Sequence, residues 1–201
     1  DTVEVAGRTL RFRRCCIATG ARAAVPPIPG LAEAGFLTNE TVFSLTALPR
    51  RLAVIGGGPI GCEMAQAFRR LGAEVDLFQR GSRLLPRDEP DASALLEKVF
   101  RAEGIRLHTG TDVTRVEAAG GAKRIRYSRG GAEDDSTADA ILVAAGRAPN
   151  VSGLGLEAAG VAFDERAGVH VEDRLRTTNR RIFAAGDVCS RFKFTHAADA
   201  M

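Results

Sequence analysis

The chain has 201 residues, 45% hydrophobic and 26% charged, the composition of an ordinary soluble globular protein of one large or two small domains. Its net charge of +3, with basic residues scattered along the sequence, gives no footprint for nucleic acid. No apolar run approaches the roughly 18 residues of a membrane span, and no signal peptide is visible. The chain begins at Asp1 and stops inside a helical pattern, so a fragment of a longer protein is expected.

Two short strands are expected at 2–5 and 11–18 around a turn at Gly7, ending in Ala18-Thr19-Gly20. Cys15 and Cys16 are adjacent in this stretch and should face opposite sides of a strand. With Cys62 and Cys189 they make no CxxC and no metal-ligand spacing. No metal site is expected, and buried free thiols suit a reducing, cytoplasmic compartment. The run Val25-Pro-Pro-Ile-Pro-Gly30 reads as an extended connector hostile to helix. A short helix is expected near 44–48.

The most informative stretch follows. Leu52-Ala-Val-Ile55 is a short apolar strand running into Gly56-Gly57-Gly58-Pro59-Ile60-Gly61. In such a loop Gly56 turns the chain off the strand, Gly58 lets the backbone approach a pyrophosphate, and Gly61 lets the next helix pack on the sheet. Pro59 suits the first helical position. Ile60, Met64, Ala67, Phe68 and Leu71 recur at helical spacing up to a stop at Gly72, and a second strand is expected at 75–78. This strand–helix–strand context makes the loop a dinucleotide cradle, with the helix N-terminus aimed at the phosphates.

Further on, a helix at about 91–103 carries Leu95, Val99 and Ala102, with Leu96 and Phe100 beside them. Strands at 105–108, 113–118 and 123–128 follow, the last two joined through Gly120-Gly121 as a hairpin. The apolar run 140–145 reads as a buried central strand and ends in Gly146-Arg147-Ala148-Pro149-Asn150. Strands at 169–171 and 181–185 lead to Gly186-Asp187, and Thr195 is placed to cap a last helix.

The coenzyme can be argued from the end of the second strand. A carboxylate about 20 residues after such a loop normally accepts from the ribose hydroxyls and selects NAD. Gln79 stands at that place. Without a carboxylate there is no repulsion of a 2′-phosphate, and Arg80, with Arg83 or Arg87, can pair with it through charge-assisted bonds. NADP is therefore expected ahead of NAD.

Ala18-Thr19-Gly20, the GGGPIG loop with Glu63, then Ala145-Gly146-Arg147, then Ala185-Gly186-Asp187 occur in one order and at fixed spacings. That order resembles the pyridine nucleotide-disulfide oxidoreductases, flavoproteins with two dinucleotide-binding domains. The resemblance implies an α/β fold: a Rossmann-like NAD(P)-binding domain, a parallel sheet with helices plus a β-meander, inserted in a partial FAD-binding α/β domain. The pieces would be 1–40, 41–149 and 150–201. It implies FAD in the full-length protein, a homodimer, and hydride transfer from NAD(P)H to flavin and on to a disulfide or other acceptor. Asp187 matches the residue that binds the flavin ribityl chain. Glu63, read as lying on the first turn of its helix, matches a carboxylate that reaches toward the flavin. Pro59 stands where some relatives carry a gating Tyr. His196 is not expected to be the catalytic base, which the family carries in a C-terminal domain that this sequence does not match. The N-terminal FAD fingerprint with its cysteine pair also finds no match, so the fragment should not complete the reaction alone. A redox-sensing dinucleotide module and an S-adenosylmethionine-dependent methyltransferase stand as alternatives, the second weakened by Gln79 and by the Asp187 motif.

Overall fold

The computed structural model describes residues 2–191, 193 and 195–201, without the side chains of Ala119, Thr195 and His196. In chain order, β1 (Thr2–Val5), β2 (Arg8–Arg11), β3 (Cys15–Ile17) and β4 (Ala21–Ala23) precede a single turn, α1 (Leu31–Ala34), and a 3-10 turn at Val42–Ser44. Next come β5 (Arg51–Ile55), α2 (Pro59–Arg70), β6 (Glu74–Gln79), α3 (Pro90–Ala102) and β7 (Arg106–Thr109). They are followed by β8 (Asp112–Ala119), β9 (Ala122–Arg129), β10 (Ala132–Ala138), β11 (Ala140–Val143) and β12 (Arg147–Pro149). The last part holds β13 (Phe163–Asp164), β14 (Gly168–Val169), β15 (Ile182–Ala184), a 3-10 turn at Gly186–Val188 and α4 (Thr195–Asp199).

The chain divides into two compact units, residues 23–146 and residues 1–22 with 147–201. These units do not follow the expected boundary at 40/41. Leu31 and Val42 are buried in the cores of the 23–146 unit, and Ile28, Phe36 and Leu37 pack against them, which draws the connector into that unit.

The 23–146 unit is built on a four-stranded parallel sheet in the order β11-β5-β6-β7. Strand alternation sorts its residues onto two faces. Leu52, Val54, Val75, Leu77 and Leu142 join Cys62 and Ala65 of α2 and Phe100 of α3 in one core. Ala53, Ile55, Phe78, Ile141 and Val143 join Val116, Ile125 and Tyr127 of the antiparallel sheet β10-β9-β8 in the other. Each fully buried Leu or Phe contributes about 2–3 kcal/mol through burial.

Within the run at 140–145, Ile141, Leu142 and Val143 are buried, yet β11 ends the ladder instead of lying at its centre. Its outer edge is closed by Leu37, whose N–H donates to Ile141 O and whose carbonyl accepts from Val143 N. On α3 the buried residues are Ser93 and Phe100, while Leu95 is 65% exposed. Helical phase decides this, since seven residues bring Phe100 back under Ser93. The short helix lies at Val42–Ser44, one turn before its expected place. β10 was not anticipated: its Glu133-Asp134-Asp135 run looks like a polar loop, but Asp135 pairs with Arg124 on β9 at 2.6 Å.

The other unit has a smaller core of Val151, Leu156, Val161, Val169, Ile182, Ala184 and Val188. β3 and β15 pair in parallel, with Cys15 opposite Ile182 and Ile17 opposite Ala184. The stretch expected as one strand at 11–18 is broken. β2 pairs with β1 in a hairpin whose residues are all exposed, and pairing with β15 begins only at Cys15. All four cysteines are free. Cys62 is buried, but Cys16 is exposed because alternation turns it away from this core while Cys15 and Ile17 pack against it. Among the described residues, no helix is long and apolar enough to cross a membrane.

Candidate functional site

The loop after β5 is shaped by its glycines. Gly56 has φ +116°, open to glycine but costly for other residues, and its N–H donates to Phe78 O on the neighbouring strand. A Cβ on Gly56 would lie 2.3 Å from Ala144 O, and one on Gly61 would lie 1.8 Å from Gly56 O. These two positions fix the close approach of α2 to the ends of β5 and β11. Gly58 is the N-cap of α2 and its outer side is open, with nothing within 4 Å of a Cβ placed there. Pro59 takes the first helical position, and among the described residues no side chain caps the helix. The N–H groups of this first turn, those of Ile60 and Gly61 included, are therefore directed out of the helix end, as an anion requires.

Gly57 has a different duty. It is buried; a Cβ there would strike Leu84 at 2.7 Å and Gln79 at 3.1 Å, and its N–H donates to Gln79 Oε1 at 3.0 Å. Its carbonyl accepts from Leu85 N, which seats the segment after β6 against the loop. Cys62 Sγ also approaches that carbonyl, and burial, helped by the charges of Glu63, Asp88 and Glu97, pushes this thiol up to about 12. Cys62 is thus a packing residue at neutral pH.

The basic residues after β6 split by role. Arg80 is exposed, and its Nε sits 2.6 Å from Asp112 Oδ1 at the start of β8. Arg83 is spent on structure: it donates to Asp88 O, Pro86 O and Ser93 Oγ, which ties the loop to α3. Arg87 is exposed. Glu63 is also exposed, but it is the fifth residue of α2, and the helix has no acid in its first turn. The first-turn placement is corrected accordingly, because a turn holds about 3.6 residues and the fifth residue from Pro59 falls in the second turn.

Behind the loop lies a charged network that sequence reading missed. Asp76, nearly fully buried, accepts from Arg106 Nε and Nη2 at 2.8 and 2.7 Å and lies 2.8 Å from His108 Nε2. Burial alone would raise the Asp76 pKa. The bonds from Arg106 and His108 outweigh it and hold this carboxyl below its ordinary value. His108 stacks on Phe78 at 4.5 Å between ring centres, so the network also fixes the end of β6.

Ala145 and Gly146 are exposed after β11; Gly146 has φ +135° and its carbonyl accepts from Ala24 N. The remaining predicted residues gather in the other unit. A cleft of about 380 Å³ is lined by Ala18, Gly20, Arg147, Gly186, Asp187 and Lys193, among others. Arg147 Nε lies 3.1 Å from Asp187 Oδ2, and Arg147 Nη2 donates to Ala21 O at 2.6 Å. The Nε contact is an ion pair without hydrogen-bond alignment. Lys193 donates to Asp187 O and Ser190 O, which pins the turn carrying Asp187. Lys193 was missed because a lone Lys between Phe192 and Phe194 carries no motif. Thr19 does not point its hydroxyl into a site; it donates to Asn150 O, while Asn150 Nδ2 donates to Thr19 O. α4 begins at Thr195, but the Thr195 and His196 side chains lie outside the described residues.

A glycine-shaped helix N-terminus in one unit and an Arg–Asp cleft in the other are carried by an α/β protein. The family model described as pyridine nucleotide-disulphide oxidoreductase matches residues 1–201, and the chain belongs to that family. It is 41% identical over 198 residues to a mercuric reductase of Bacillus cereus, covering 98% of this chain and 31% of that protein. It is 38% identical to a glutathione reductase of Burkholderia cepacia, covering 98% of this chain and 43% of that one. Among solved structures, the HOCl-induced flavoprotein disulfide reductase RclA from Escherichia coli superposes with a TM-score of 0.88 at 32% identity, over 98% of this chain and 45% of that one. The chain thus spans less than half the length of these relatives. FAD and pyridine nucleotides are the characteristic cofactors of this family.

Proposed function

We propose that this chain is the nicotinamide-nucleotide-binding portion of an FAD-dependent NAD(P)H oxidoreductase, with NADPH as its preferred reductant. The observation that carries the reading is the loop geometry: Gly61 and Gly56 allow a contact that any Cβ would block, and Gly58 leaves the first turn of α2 open. That cradle fits a pyrophosphate held by backbone N–H groups and the helix dipole. Arg80 at the end of β6 is assigned to the 2′-phosphate, with Arg87 as a second exposed cation.

The Arg147–Asp187 cleft is the part of the FAD site that we assign to this chain. Asp187 supplies a carboxylate for sugar-chain hydroxyls, Arg147 holds that carboxylate in place, and Lys193 fixes the turn beneath it. Gly20 and Gly186 line the same cleft, with Thr195 beyond it as the start of α4. Bound there, the flavin would accept the hydride given up by reduced nicotinamide and deliver electrons to a disulfide or other acceptor. Glu63, exposed on α2, is proposed as an electrostatic partner of the flavin. We read the whole protein as a cytoplasmic homodimer; the four free thiols support a reducing compartment.

The test is titration with both coenzymes. NADPH binds more tightly than NADH in this reading, and Arg80→Glu weakens NADPH tenfold or more, on the order of a lost charge-assisted pair, while sparing NADH. Tighter binding of NADH by the unaltered protein would overturn the NADPH assignment.

A further inference from the structure

Two internal bonds hold the side chains at the end of β6. The first runs from Gly57 N–H to Gln79 Oε1 at 3.0 Å. An N–H can only be answered by an acceptor, so this bond fixes which end of the carboxamide faces the loop. The carbonyl oxygen is turned to the loop, and Nε2, which only donates, is the end directed away from it. The side chain also lies close against two glycines. A Cβ on Gly57 would press on Gln79 Cβ and Cγ, and a Cβ on Gly81 would come 2.9 Å from Gln79 Nε2. The second bond runs from Arg80 Nε to Asp112 Oδ1 at 2.6 Å. It engages the inner nitrogen of the guanidinium and leaves the two terminal nitrogens for another partner.

We propose that these two tethers, Gly57 on Gln79 and Asp112 on Arg80, set the coenzyme preference by turning the end of β6 into a donor-only pocket for the 2′-phosphate of NADPH. The proposal rests on the loop being the nicotinamide-nucleotide site. The ribose 2′-hydroxyl of NADH both donates and accepts, and it finds in Gln79 Nε2 only a donor. A phosphate is an acceptor throughout and can take that donor and a bidentate pair from Arg80 together. A Glu at 79 would keep the oxygen that answers Gly57 but exchange the free donor for an acceptor carrying charge. Asp112 is a positioning residue in this scheme: it acts through Arg80 and is spaced from the phosphate by the guanidinium.

The experiment measures dissociation constants of NADPH and NADH for the purified protein and five variants, by the fluorescence of the reduced nicotinamide. Arg80→Ala tests the underlying reading, and it should weaken NADPH selectively. Gln79→Glu should lower NADPH affinity about tenfold or more and tighten NADH. Gly81→Ala is the gentlest probe of the first tether, because the added methyl meets only the tip of a flexible side chain. It should leave the melting temperature in place and narrow the NADPH-to-NADH preference severalfold. Asp112→Ala should weaken NADPH about threefold, the scale of an exposed pair, with NADH unchanged. Asp112→Asn keeps the acceptor and should restore the affinity. If Arg80→Ala is selective but Asp112→Ala tightens NADPH or has no effect, or Asn fails to rescue, or Gly81→Ala leaves the preference as it was, the tethers are overturned and the site stands. If Arg80→Ala weakens both coenzymes equally, the 2′-phosphate assignment itself fails and the tethers fall with it.

Discussion

The two units present their candidate sites by different means. In residues 23–146 the site is a backbone feature. Gly56, Gly58 and Gly61 shape it by having no side chains, and the strands behind it are held by two apolar cores. In residues 1–22 with 147–201 the site is a side-chain feature, an Arg147–Asp187 pair and a Lys193 anchor beside a smaller core. A backbone cradle recognises what phosphates share, whereas a charged pair recognises what is particular to one ligand. The first should therefore fail all at once when a methyl is added, and the second by degrees.

The largest expected effect breaks the backbone cradle. Gly61→Ala places a Cβ 1.8 Å from Gly56 O, a clash with main chain that no rotamer relieves. It should destabilise the protein by about 3 kcal/mol and abolish NADPH binding. Denaturant unfolding and coenzyme titration read the two effects; a variant of unchanged stability would show that α2 is free to slide. Asp187→Ala probes the other site. It strips a partly buried Arg147 of its acidic partner and should cost about 2 kcal/mol with weaker FAD retention, while NADPH affinity stays within twofold. Equal losses of both ligands would erase the contrast between the sites.

A smaller effect concerns acid. The folded-state pKa of Asp76 is depressed, so its contribution is fully present above the ordinary carboxylate pKa of about 4 and is lost as pH falls through the lower folded value. Asp76→Asn should flatten the stability profile on that acid limb, measured by urea unfolding at a series of pH values. An unchanged slope would remove Asp76 from the account. Smaller still is Thr19→Val, which removes the bond to Asn150 O and should cost about 1 kcal/mol without changing FAD retention. Loss of flavin in that variant would restore Thr19 to the cofactor site.

How much was legible from the sequence follows from which interactions are local. The strand, loop, helix and second strand from Arg51 to Gln79 were readable because apolar period and glycine spacing are properties of neighbouring residues. The acidic β10 was hidden because its pairing with Arg124 depends on a partner strand. Leu37 closing the edge of β11 and Arg83 fastening its own loop to Ser93 are likewise contacts made across the fold. At the site, Gly57, Gln79 and Arg80 were visible by position, but the bond from Gly57 to Gln79 and the pairing of Asp112 with Arg80 were not. A tether is a relation between distant residues, and no spacing announces it.

The central claim is that the loop at 56–61, and not the Asp187 cleft, receives the nicotinamide coenzyme. Backbone amide chemical shifts recorded during an NADPH titration test it most directly. The account predicts saturable shifts at Gly58, Ile60 and Gly61, with Gly186 and Asp187 responding to FAD instead. NADPH shifts confined to Gly186 and Asp187, with a silent loop, would contradict it.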